Sequence, residues 1–80
     1  MPQYQEKWPV GARVRIANSA ALEKFAREWR YHNKLRVEQL AYAGRETQVK
    51  SVGFYHGGDP LYVLEHVPGI WHEECLQTAD

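Results

Sequence analysis

Five residues in the last third of the chain, Tyr55, His56, Asp59, Tyr62 and Trp71, have the types and spacing that best suit chemistry, and that chemistry is recognition. Flat rings offer large apolar area with a polar handle, so the three aromatics read as anchors for an extended segment and His56 with Asp59 as its polar orienters. A wider set of metal-capable types, His56, Asp59, His66, His72, Glu73, Glu74 and Cys75, falls within the same stretch. Imidazole and carboxylate suit zinc if three or four converge on one point. None of these residues has the helical i, i+4 spacing of a familiar ligand pair, although His72 and Glu74 could share a strand face. They read as turn and edge residues in water, and no metal or other cofactor is expected.

Cys75 lies three residues after His72, and a thiolate beside an imidazolium is activated. No oxyanion donor accompanies the pair, and the apolar neighbour Leu76 points to a buried thiol. No catalytic constellation is complete, so the expectation is a protein that is not an enzyme.

The elements that must hold these residues follow from periodicity. Residues 1–9 read as an arm anchored at Trp8 and Pro9. In the run from Ala12 to Ala17, Val14 and Ile16 alternate with Arg13 and Arg15, which predicts a half-buried first strand. Asn18 or Ser19 is a good N-cap for a helix to about Tyr31, with Leu22, Phe25, Ala26 and Trp29 on its apolar stripe. A second, shorter helix is predicted over Val37 to Ala43, with Gly44 as its left-handed stop. Residues 18–44 thus form a helical insertion after strand one.

The β signal returns from Glu46 to Tyr55, where Val49 is out of phase with Val52 and Phe54, so a bulge is expected near Ser51 or Gly53. His56 to Asp59 supplies a hairpin tip, Leu61 to Glu65 the returning strand, Val67 to Gly69 a tight turn, and Ile70 to His72 another strand. A single turn over Glu73 to Leu76 and a fraying tail over 77–80 complete the chain. The fold class is mainly β: a small antiparallel barrel of about five strands, as one domain over 1–80.

Size and charge limit the possibilities. An 80-residue domain buries little more than roughly 60% of its unfolded surface, so three Trp, five Tyr and two Phe are needed to fill its core. A lone cysteine excludes an internal disulfide and a cysteine-based zinc site, which fits a reducing compartment. With no signal-like apolar run and no stretch of ~20 apolar residues, a cytoplasmic location away from membranes is expected. Net charge is zero, yet all ten Lys and Arg lie within residues 1–50. That asymmetry could steer a charged partner or match neighbouring subunits head to tail.

The pattern of Gly11, Arg13, Val14 and Arg15, a central hairpin, and Pro68 and Gly69 ahead of Trp71 resembles the SH3-like barrel group. Gly44 before the middle strands, with Trp71 followed by Cys75 and Leu76, resembles the SH3-type repeats of Mind bomb proteins, which implies binding of peptide segments. Gly11, Arg13 and Val14 with Leu61, Tyr62 and Val63 are similar to the barrel of nitrile hydratase β-subunits. That likeness implies a structural or chaperoning subunit, since in that family the metal sits in the partner subunit. Gly11 to Arg15, Val52 to Tyr55, Tyr62, Pro68 and Gly69 also resemble type II dihydrofolate reductase. Its ligand-reading segment is replaced here by Ile70 to Glu73, and Glu73 and Glu74 would repel anionic ligands.

The expected function is a non-enzymatic protein- or peptide-binding or assembly module that uses Tyr55, His56, Asp59, Tyr62 and Trp71. One alternative is an accessory subunit of a nitrile hydratase-like complex. Another is a weak single-stranded nucleic-acid binder using Arg13, Arg15, Lys24, Arg27, Arg30, Lys34 and Arg36 with Tyr31 and His32, although the acidic back half disfavours nucleic acid. Strand alternation requires some of the rings to face outward. A homo-oligomer through an uncovered strand edge is a further expectation.

Overall fold

The computed structural model describes residues 6–56 and 58–79, and within them five strands form one antiparallel sheet of order β4-β3-β2-β1-β5. The strands are β1 (Arg13–Ile16), β2 (Glu46–Tyr55), β3 (Asp59–Leu64), β4 (Val67–His72) and β5 (Leu76–Thr78). β4 and β5 are the two edges, and among the described residues no ladder joins them, so the sheet is open. No described helix is long and apolar enough to cross a membrane.

β2 belongs to both halves of the sheet. Its first residues pair with β1, Arg13 opposite Gln48 and Arg15 opposite Glu46, and its later ones pair with β3. The register shifts between Val49 and Ser51, where the phase of the apolar residues changes in the sequence. An extra residue there bends and twists the strand, which lets one ribbon serve two differently oriented partners.

Two regions differ from the sequence expectation. The tight turn before β4 is at Glu65 and His66, with His66 at φ 60°, and Val67, Pro68 and Gly69 lie inside β4. Pro68 is tolerated because β4 is an edge strand, where a missing N–H need not break a ladder. The C-terminal residues Gln77 and Thr78, expected to fray, pair with Arg15 and Val14 in β5.

Between β1 and β2 runs the helical connection. α1 (Ser19–Glu28) is capped by Asn18, whose Oδ1 accepts from the Ala21 N–H at 2.8 Å. It stops three residues before the expected end at Tyr31, because Trp29 turns to extended backbone (ψ 115°) and donates its indole N–H to the His32 carbonyl at 2.6 Å. The second segment, Val37–Tyr42, winds as a 3₁₀ helix, and Gly44 follows it at φ 79° as the left-handed stop. A second 3₁₀ turn, Glu73–Cys75, joins β4 to β5.

The core collects the inward residues of every strand: Val14, Ile16, Val49, Tyr62, Leu64, Trp71 and Leu76, sealed by Leu22 of α1. Trp8 is buried against β3 and β5. Its indole N–H donates to Thr78 Oγ1 at 3.3 Å, and its ring meets Tyr62 edge-on at 5.9 Å. Trp8 thus links β5 to β3.

Candidate functional site

Strand alternation places Tyr62 and Leu64 on the inner face, and both are buried. Tyr62 and Trp71, expected as surface anchors, are each 0% exposed, so that expectation is corrected: the two rings are core. Their positions are adjacent, since Tyr62 pairs with Trp71 across β3 and β4. Each polar tip is satisfied internally, Trp71 Nε1 donating to the Pro68 carbonyl at 3.2 Å and the Tyr62 hydroxyl to Glu73 Oε2 at 2.6 Å. The Tyr62 oxygen also accepts the Lys7 N–H at 3.0 Å. Burial and the Glu73 carboxylate push Tyr62 up to about 12.

The remaining three residues stay on the surface. Tyr55 ends β2, Asp59 opens β3, and His56 stands in the turn between them at φ 47°, a left-handed conformation. What the sequence did not reveal is the residue that joins them. His32, from the loop after α1, stacks on Tyr55 with ring centroids 3.6 Å apart, and its Nε2 lies 3.2 Å from Asp59 Oδ2. A carboxylate accepts, so Nε2 carries the proton. His32 Nδ1 is buried with no hydrogen-bond partner among the described residues.

Behind this stack the loop is clamped by β4. His72 Nε2 donates to the Asn33 carbonyl at 2.8 Å, and the His72 ring packs against Trp29 and Phe25 at centroid distances of 4.7 and 5.0 Å. Burial holds His72 below its ordinary value, and the nearby His32 ring acts in the same direction. Aromatic and imidazole rings from α1, the loop, β2 and β4 thus fix the path of residues 29–33. Asn33 turns the chain at φ 50°.

Past Asn33 the chain forms one wall of an open groove of about 780 Å³. Lys34, Leu35 and Arg36 stand on that wall, and Pro68, Gly69 and Ile70 of β4 face them. Gln39 lies across the floor. Its Oε1 accepts the Arg36 N–H at 2.8 Å and its Nε2 donates to the Ile70 carbonyl at 3.0 Å, so a buried side-chain amide is paired at both ends. Gly69 is required beneath it: its φ is 94°, and a Cβ there would stand 2.7 Å from Gln39 Nε2. Pro68 without an N–H and Gln39 on the Ile70 carbonyl blunt the β4 edge against strand addition.

The other reactive types are dispersed or buried. Among the described residues no three His, Cys, Asp or Glu side chains are grouped to hold a metal ion. Cys75 is buried, and desolvation, with Glu74 adding, pushes its thiol up to about 12, so it is not a thiolate at neutral pH. Of the basic residues considered for nucleic acid, Arg13 and Arg15 are both paired with Glu46, whose carboxyl their guanidiniums hold below its ordinary value. Compared with known proteins, the chain matches no family model, no curated protein and no solved structure.

Proposed function

We propose that this protein is a non-enzymatic peptide-binding module whose surface runs from the hairpin tip, Tyr55, His56 and Asp59, along residues 31–36 into the groove beside β4. The observation that carries the reading is the groove itself. Its volume of about 780 Å³ lies in the range of ligand-binding clefts, and it has half-buried Leu35 and partly exposed Ile70 on opposite walls. Its shape is fixed by the Gln39 amide and by the His72 clamp on Asn33, so little ordering is left to be done on binding. The strand order β4-β3-β2-β1-β5 and the 3₁₀ turn before the last strand support an SH3-like architecture, in which aromatic rings near the hairpin tip and adjoining loops receive extended segments.

Selection of displayed random peptides against the intact chain tests this. The expected result is enrichment of a consensus whose synthetic form binds with micromolar affinity and weakens about tenfold or more on Ile70→Asp, with the circular dichroism unchanged. Failure to enrich any sequence, or a consensus indifferent to Ile70, contradicts it.

A further inference from the structure

Resting on that peptide-binding reading, we infer that the segment the groove takes is acidic, with carboxylates alternating with apolar side chains. Lys34 and Arg36 are exposed on the groove wall, and neither forms an ion pair among the described residues. Arg13 and Arg15 are engaged on Glu46, Lys7 over the Trp8 ring and Arg45 over the Tyr42 ring. Lys34 and Arg36 are the cations that line the groove, and there they face a ligand.

Their spacing selects the partner's pattern. Residues 34–36 have no helical structure, and Arg36 is extended at φ −92° and ψ 154°. Two residues apart in a non-helical segment, they stand at most about 6.5–7 Å from one another along the chain, the repeat of alternate side chains in an extended ligand. Carboxylates at i and i+2 therefore match Lys34 and Arg36, while the residue between them faces the opposite wall, where Pro68 and Ile70 are apolar. Glu38 also lines the groove, and its charge keeps the ligand's acids toward Lys34 and Arg36. Main-chain pairing supplies little, because Pro68 lacks an N–H and the Ile70 carbonyl already holds Gln39.

Fluorescence anisotropy with the full chain tests the inference, using labelled dodecapeptides that alternate Leu or Val with Glu, with Gln or with Lys, and a short oligothymidylate. The Glu peptide is expected to bind about tenfold tighter than the Gln peptide, the sum of two exposed ion pairs. Raising salt from ~0.05 to ~0.5 M should remove most of that difference, and Lys34→Glu with Arg36→Glu should invert the order of the Glu and Lys peptides. The salt series needs no variant, so a misfolded substitution does not shield the inference. Equal binding of the Glu and Gln peptides overturns the acidic preference and leaves peptide binding standing. Tighter binding of the oligothymidylate overturns it in favour of phosphate. Binding by none of the peptides overturns both readings.

Discussion

The Tyr62 hydroxyl donates to Glu73 Oε2 at 2.6 Å while accepting the backbone N–H of Lys7 at 3.0 Å, so one buried phenol ties β3, the turn after β4 and the N-terminal arm together. The same carboxylate oxygen accepts the Lys7 N–H at 2.9 Å. Removing the hydroxyl deletes the bonds made through it, leaving the Lys7 N–H and Glu73 Oε2 with only each other, and opens no large cavity. Tyr62→Phe should therefore cost about 1–2 kcal/mol in urea unfolding followed by tryptophan fluorescence, and an unchanged midpoint would show that the network adds nothing.

Alkali should loosen the fold through two buried acids. Tyr62 is raised from 10.0 to about 12 and Cys75 from 9.0 to about 12. In each case the unfolded chain releases its proton first, so the native state holds more protons between the two values and stability falls as pH rises. The full contribution is present below pH 9 and is lost progressively up to about pH 12. Cys75→Ala should flatten the lower part of that decline in thermal melts taken across the range. A melting temperature independent of pH above 9 contradicts the assignment.

Acid should act on the loop clamp. His72 is held below 6.5 by burial, with His32, Glu74 and Asp59 the charged or titratable groups around it. Below that value the unfolded chain takes up a proton that the native state refuses, so stability is complete above about 6.5 and falls as pH drops through the folded value. Replacing the imidazole by Phe should reduce this acid slope, at the expense of the bond to Asn33. Amide exchange at residues 31–34 faster at pH 5 than at pH 7, after correction for intrinsic rates, would report release of the loop.

Gly69 and Gln39 should behave as a coupled pair. Gly69→Ala meets both a left-handed backbone and the Gln39 amide, whereas Gln39→Ala removes only the second obstacle. The double variant should be less destabilised than the sum of the singles, by about 0.5–3 kcal/mol. Additive losses would mean that backbone strain alone selects glycine there.

Trp71→Ala should unfold the domain or cost about 3–5 kcal/mol, since the ring is fully buried in the core beside Tyr62. A folded, stable variant would return Trp71 to the surface role its spacing first suggested.

Much of the fold was legible because local rules and global packing agree in it. The alternation of Val14 and Ile16 with arginines, the Asn18 cap, the phase change after Val49 and the stop at Gly44 each marked an element that the structure contains. The turn before β4 was misplaced because Pro68 and Gly69 carry the strongest local turn signal, while the true turn uses His66 in a left-handed conformation that histidine adopts less readily than glycine.

The site was legible only in part, for a physical reason. Alternation tells which residues share a face, not which face is covered, and Tyr62 and Trp71 share the inner one. His32 and the wall from Lys34 to Arg36 lie in a loop without periodicity, brought to Tyr55 and β4 by contacts 23 or more residues apart in sequence. Gln39 carried no signal as a polar residue on a short helix. Its role depends on a glycine thirty residues later.

The most direct measurement is a map of backbone amide shifts as a selected peptide is titrated into the labelled chain. The account predicts the largest changes at Lys34, Leu35, Gln39, Gly69 and Ile70, with smaller ones at Tyr55 and His56 and none along β5. Changes concentrated on β5 or the exposed face of α1, with the groove silent, would contradict it.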